Sequence, residues 1–226
     1  MEAVILAGGL GTRLSHIVSD VPKPMAPING QPFLKYVFDY LLENGVNHII
    51  LAVGYKANSI QSYFGDTYRS IKITYSIEDI PLGTGGAIKK ALNCCSEEDV
   101  FIINGDTYFD VDLEKMKAFH TRKNSCLTVA VKSMNNFERY GAVTIEENII
   151  KKFQEKKPTI VGKINGGIYL IKKTIVNSTN EESFSFEKVI LESKKVDIYA
   201  FESNGYFIDI GVPEDYYKAQ NDFKSI

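Results

Sequence analysis

Four runs in the first part of the chain are apolar almost from end to end: residues 2–7, 48–53, 100–103 and 126–131. A strand that alternates polar and apolar residues has a wet face; these runs have none. They read as strands of a parallel sheet covered by helices on both faces. The stretches between them carry helical spacing. In 32–43, Phe33, Tyr36, Val37, Tyr40 and Leu41 recur on one helical face, and Asn44-Gly45 supplies the stop. Helices are also predicted over 57–64, 85–95 and 112–123, and a strand over 71–76. The second half differs. Residues 142–145, 149–153, 164–171 and 196–201 are strand-like with short spacers, and 213–223 reads as a closing helix with Pro213 in its first turn. The expected fold is α/β: a Rossmann-like, mostly parallel sheet flanked by helices, with a smaller, partly antiparallel extension on the same core. One domain is expected over 1–226, with no left-handed β-helix appended.

Composition narrows the function. With 226 residues, 44% of them hydrophobic, the chain can bury a core without disulfide or metal staples. Its 26 basic and 28 acidic residues leave a net charge of −2, unlike the basic excess of a general nucleic-acid binder. No apolar run reaches the roughly 18 residues that span a bilayer. The opening MEAVILAGG lacks the basic start of a signal peptide, so a cytoplasmic protein without membrane partners is expected. Cys94, Cys95 and Cys126 are odd in number and form no CxxC, which predicts reduced thiols. His16, His48 and His120 are scattered, which excludes a His/Cys metal centre and a Cys–His nucleophile.

In parallel sheets ligands bind at the carboxyl ends of strands. The first strand ends in Leu6-Ala7-Gly8-Gly9-Leu10-Gly11-Thr12-Arg13-Leu14. Its glycines let the backbone turn sharply and present several N–H donors together, which suits phosphate oxygens, and Arg13 adds a permanent planar cation. GxxxxGK[ST] is absent, and GxGxxG begins at Gly9 but meets Leu14 in its third position. A second cation, Lys23, sits between Pro22 and Pro24, which stiffen the chain around it.

LAGGLGTRL followed by PKPMAPINGQPFL resembles the sugar-1-phosphate nucleotidylyltransferases, and the resemblance extends over essentially the whole chain through Leu82-Gly83-Thr84-Gly85-Gly86-Ala87, Asn104-Gly105-Asp106, Glu155-Lys156, Asn165-Gly166-Gly167-Ile168-Tyr169 and Phe207-Ile208-Asp209-Ile210-Gly211-Val212-Pro213. It implies a nucleotide-binding half over 1–135 and a sugar-binding half over 136–226. Leu6, Ala7, Gly8, Gly9, Gly11, Thr12, Arg13 and Lys23 are expected to cradle the triphosphate. Glu78, Gly83, Thr84 and Gly86 are expected at the base, with Glu78 or Asp79 able to accept from guanine. Asn104, Gly105, Gly141, Glu155, Lys156, Asn165 and Gly167 are expected at the sugar phosphate. Arg13, Lys23 and Asp106 are the expected catalytic residues. Asp106 and Asp209 are each ordinary as turn residues; together, in the family's order, they imply an Mg²⁺ site. Lys151, Lys152 and Lys157 read as solvated surface.

Strings such as VGYKANSIQSYFGD and NGDTYFDVDL look most like the branch that transfers guanylyl groups to a manno-heptose 1-phosphate. The implied substrates are GTP and that sugar phosphate, the implied product GDP-heptose for surface glycans. Mannose-1-phosphate guanylyltransferases and uridylyl- or thymidylyltransferases share much of the pattern. An inactive nucleotide-binding regulatory subunit and a glycosyltransferase are rivals of other classes. The family's tryptophan ahead of the final aspartate is replaced here in the region of Phe207. Any homo-oligomer is expected to use the catalytic domain itself.

Overall fold

The computed structural model describes residues 1–9, 14, 18, 21–154, 156–193 and 195–224. In chain order, β1 (Glu2–Leu6) leads through a 3₁₀ turn (Lys23–Met25) to the small β2–β3 hairpin (Pro27–Ile28, Gln31–Pro32) and α1 (Phe33–Glu43). There follow β4 (His48–Val53), α2 (Ala57–Phe64), β5 (Thr67–Tyr68), β6 (Ile71–Ile77), α3 (Gly83–Leu92), β7 (Asp99–Asn104), β8 (Thr107–Phe109) and α4 (Leu113–Arg122). The second half holds β9 (Leu127–Phe137), β10 (Ala142–Glu146), β11 (Ile149–Phe153), β12 (Thr159–Lys172), α5 (Lys173–Asn177), a π-helical turn (Glu187–Leu191), β13 (Ile198–Glu202), β14 (Phe207–Asp209) and α6 (Pro213–Asp222).

The main sheet has ten strands in the order β10-β11-β13-β9-β12-β7-β1-β4-β6-β5. Its centre, β7-β1-β4-β6, is parallel, as the first three apolar runs predict; the fourth run, in β9, departs from the expectation, pairing antiparallel with β12 and parallel only with β13. Val4, Ile5, Ile50, Leu51, Ile102 and Ile103 are buried, with side chains alternating between two cores. One core lies under α1, α2 and α6, the other under α3, α5 and the π-helical turn. Chain order reverses at β1: β4 lies on one side and β7 on the other. The carboxyl ends of β1 and β7 therefore open into a crevice, the usual ligand position in such sheets.

The extension is antiparallel where β12 meets β7, β9 and β10. Because β10 pairs with both β11 and β12, strands β10, β11, β13, β9 and β12 form a ring. β12 changes partner from β10 to β7 at an irregularity between Asn165 and Tyr169. Two glycines make that bend feasible. Gly167 has φ +74°, and a Cβ on Gly166 would lie 2.4 Å from the Phe109 ring.

The helical predictions hold with end shifts. α3 starts at Gly83 rather than 85, entered through a left-handed Gly83 (φ +69°) that glycine adopts without strain. β9 and β12 run far beyond their apolar cores, because their outer halves pair with each other while largely exposed. Asp112 caps α4 by accepting from Lys115 N at 2.9 Å. The three cysteines are free thiols. Among the described residues no helix is long and apolar enough to cross a membrane.

At the sheet end opposite the crevice, Glu2 joins three elements. Its carboxylate accepts from the backbone N–H groups of Ser96 and Glu97 (both 2.7 Å), from Ser96 Oγ (3.0 Å) and from His48 Nδ1 (2.8 Å). Burial raises the Glu2 pKa, but these bonds outweigh it and hold the carboxyl below its ordinary value. The depressed pKa means a stabilising contribution present above about pH 4.3 and lost as pH falls through the folded value. Glu2→Gln should therefore cost about 1–3 kcal/mol at pH 7. In thermal melts the gap to wild type should shrink on acidification toward pH 3. A gap that is pH-independent would assign the cost to packing alone.

Candidate active site

The crevice is built by hydrogen bonds across the switch point. Leu6 O accepts from Gly105 N at 3.0 Å, and a Cβ on Gly105 would lie 2.6 Å from that oxygen. Gly105 is thus a close-packing glycine that sets the β7 turn against β1. Ala7 N–H donates to Ala52 O at 2.8 Å and continues the ladder. Leu6 and Ala7 therefore support the loop, with one backbone group of each already engaged. Gly8 packs on the Glu78 carboxylate, whose Oε1 would be 3.1 Å from a Cβ there, while Gly9 is open to solvent. Gly11, Thr12, Arg13 and Glu155 lie outside the described residues.

Asp106 and Asp209 are distant in sequence, and the β8–β14 pairing unites them. Asp209 stands opposite Thr107, and Ile210 N donates to Asp106 O at 3.0 Å. Lys23 lies between them. Its Nζ is 2.5 Å from Asp106 Oδ2 and 3.5 Å from Asp209 Oδ1. The lysine is placed by its prolines: Pro22 is extended at φ −66° and ψ 151°, the turn closes with Met25 N donating to Pro22 O at 2.7 Å, and Pro24 is buried. The Lys23 side chain is only 9% exposed, against 33% for Asp106 and 27% for Asp209. Burial and the neighbouring Asp106 charge push the Asp209 pKa up, opposed by Lys23 and by the Gly211 N–H, which donates to Asp209 Oδ1 at 2.7 Å.

The two carboxylates thus converge on one point that already attracts a cation. Among the described residues no third His, Cys, Asp or Glu joins them. An all-oxygen pair that leaves positions for water and phosphate oxygens fits Mg²⁺ and does not fit zinc.

Asp209 and Asn104 border a cavity of about 930 Å³ that continues over Gly141, Asn165, Gly167 and Lys156. Asn165 Oδ1 accepts from Gly167 N at 3.0 Å, and its Nδ2 donates to the Tyr169 hydroxyl at 2.8 Å. Gly141 is needed because a Cβ there would lie 2.8 Å from Gln154 O. Phe207 packs edge-on against Phe109 and Tyr140, with ring centroids 5.6 and 5.5 Å away, so the residue in the family's tryptophan region backs Tyr140, which lines the cavity.

The expected base loop differs in detail from the sequence reading. Cβ atoms on Gly83 and Gly86 would lie 2.6 Å from Phe184 O and 2.2 Å from Glu182 O, so these glycines admit residues 182–184. Thr84 Oγ1 is engaged within the protein, donating to Glu187 Oε2 at 2.7 Å. Glu78 Oε2 accepts from Leu82 N at 3.0 Å, which ties the loop to the end of β6, while Asp79 is exposed. Lys151 and Lys152 are exposed as expected and also line the cavity. Sequence reasoning missed Glu187 and Leu191 in the cavity wall; the π-helical turn that holds them has no 3.6-residue period to detect.

A switch-point crevice with a lysine between two carboxylates, opening into a polar cavity, is suited to joining two phosphates. The nucleotidyl transferase family model matches residues 2–225, and the chain belongs to that family and is a nucleotidyltransferase. At the level of individual relatives, it is 51% identical to D-glycero-alpha-D-manno-heptose 1-phosphate guanylyltransferase of Aneurinibacillus thermoaerophilus, covering 99% of each chain. It is likewise 51% identical to the enzyme of that name from Campylobacter jejuni, covering 96% of this chain and 97% of the relative. Among solved structures, HddC from Yersinia pseudotuberculosis complexed with GMP-PN superposes with a TM-score of 0.90 at 40% identity, covering 98% of this chain and 99% of that one. The mixed α/β fold expected from the sequence is the fold of these neighbours.

Proposed function

We propose that this protein transfers a guanylyl group from GTP to D-glycero-α-D-manno-heptose 1-phosphate, giving GDP-heptose and pyrophosphate for surface glycan synthesis in the cytoplasm. The observation that carries this reading is the Lys23–Asp106–Asp209 group at the mouth of a cavity of about 930 Å³. The names of the two relatives of like length support the choice of base and sugar.

In this reaction an oxygen of the sugar phosphate attacks the α-phosphorus, a new P–O bond forms, and the bond to the β-phosphate breaks as pyrophosphate leaves. The nucleophile needs no general base. A phosphate monoester with a second pKa of about 6 is mostly dianionic at pH 7. The barrier is the approach of two anions, which fixed cations and tight positioning reduce. Lys23 neutralises charge where the α-phosphate and the incoming phosphate meet, and its proline-flanked turn keeps the ammonium in place. Arg13 is assigned to the leaving phosphates by the family resemblance. Asp106 and Asp209 would hold Mg²⁺, which when bound supplies further charge neutralisation on phosphate oxygens. Residues 1–135 supply the nucleotide side and 136–226 most of the sugar cavity. Asn165, Gly167, Gly141 and Lys156 line the sugar side. Glu78, whose Oε2 already accepts from Leu82 N, or the exposed Asp79 would supply the carboxylate for the guanine N1–H and 2-amino group.

A matrix of four nucleoside triphosphates against heptose, mannose and glucose 1-phosphates, read by pyrophosphate release, tests the proposal. GTP with heptose 1-phosphate should give the highest kcat/KM. Preference for mannose 1-phosphate would correct the sugar, preference for UTP or dTTP would correct the base, and no pyrophosphate with any pair would refute the activity.

A further inference from the structure

The cavity does not end where the sugar phosphate must lie. From Asn104 and Asp209 it extends along β11 to Ile150, Leu191 and Val196, and its volume of about 930 Å³ is near the upper end of the usual range for small-ligand sites. Glu187 stands on this wall as the first residue of the π-helical turn, whose widened hydrogen bond runs from Glu192 N to Glu187 O at 2.9 Å. Such turns are rare and are frequently found at functional sites.

The carboxylate is held from one side only. Glu187 Oε2 accepts from Thr84 Oγ1 and from Ser185 Oγ, both at 2.7 Å, and Thr84 Oγ1 in turn accepts from Phe186 N at 2.9 Å. Among the described residues Oε1 has no donor. An anionic oxygen fixed beside a cavity repels phosphate and attracts hydroxyl donors. Nearby, Tyr169 is 3% exposed and accepts from Asn165 Nδ2, but among the described residues its own proton has no acceptor. The Glu187 charge reaches this phenol and contributes to its raised pKa, which is due first to burial. An acceptor and a donor on one wall match sugar hydroxyls, each of which donates and accepts.

We propose that Glu187, with Tyr169 as the complementary donor, determines sugar specificity by binding hydroxyls on the exocyclic arm of the sugar, favouring a heptose 1-phosphate over a hexose 1-phosphate of the same ring configuration. The inference rests on the function proposed above. It also gives the Thr84–Glu187 bond a consequence: the residue that reads the sugar fixes the loop expected at the base.

The test is Glu187→Gln, which keeps length and one oxygen for Thr84 and Ser185 but turns the other position into an amide donor. KM for heptose 1-phosphate should rise about tenfold or more, as expected for losing a hydrogen bond to a charged group, with KM for GTP changed less than about threefold. Because the exocyclic arm of mannose 1-phosphate is shorter by one carbon and one hydroxyl, its kcat/KM should change much less, and the heptose-to-mannose ratio should fall about tenfold. Tyr169→Phe keeps the ring packed on Phe186 and should lower the same ratio; it decides the matter if Glu187→Gln does not fold. An unchanged ratio overturns the inference. So does a parallel rise in the KM values for GTP and both sugars with a lower melting temperature, which marks Glu187 as a structural staple only. Wild-type enzyme that rejects heptose 1-phosphate refutes the underlying reading; wild-type enzyme that accepts it beside variants of unaltered preference refutes this inference alone.

Discussion

Asp106→Asn is expected to leave a folded protein that releases pyrophosphate at least about a hundredfold more slowly than wild type. The substitution keeps the side chain's shape but removes half of the negative charge that converges with Asp209. The turn itself is held by backbone bonds, Gly105 N to Leu6 O and Ile210 N to Asp106 O, which asparagine leaves intact. Loss of turnover should therefore come without loss of fold. A circular dichroism melt beside a pyrophosphate assay checks both halves. Near-normal turnover would remove Asp106 from the chemistry, and a collapsed melt would make it a structural residue.

The second large effect is expected for Lys23→Ala. Removing the ammonium leaves Asp106 and Asp209 facing each other without their shared counter-charge and leaves the approaching phosphates unshielded. Turnover should again fall about a hundredfold or more. The cost in stability should be smaller than that of breaking a fully buried ion pair. Both carboxylates are about a third exposed or less, so water can reach them, and Gly211 N still holds Asp209. The same assay and melt decide the case, and retention of more than about a tenth of wild-type turnover would contradict the role given to Lys23.

The parts of the molecule legible in the sequence are those where one residue pattern suffices. The first three apolar runs reported the parallel centre of the sheet because strands covered on both faces leave no polar positions; the fourth, in β9, is just as apolar yet antiparallel to β12, which composition does not distinguish. The α1 spacing and its Asn44-Gly45 stop reported a helix because a single buried face dictates them. Lys23 between prolines suggested a fixed cation, and the structure shows what fixes it. Strands β8 and β14 have three residues each, too few for periodicity, yet their register is what brings Asp106 to Asp209. Taken singly, each aspartate is an ordinary turn residue, and only the resemblance to a family joined them in advance. The glycines of the 83–86 loop were legible as glycines, but the neighbour that requires them, the 182–184 segment, is remote in sequence. Glu187 gave no signal for the same reason, since part of its restraint comes from Thr84 on another helix.

In the proposed mechanism Lys23 and Asp106 act as one unit on the reacting phosphates. The most direct measurement is kcat/KM for pyrophosphate release in Lys23→Ala, Asp106→Asn and the double variant, with each protein confirmed as folded. Residues acting as a unit are strongly non-additive, so the double variant should fall within about threefold of the slower single variant. A double variant slowed by the product of the two single losses would show that the two side chains contribute independently and would contradict their joint role.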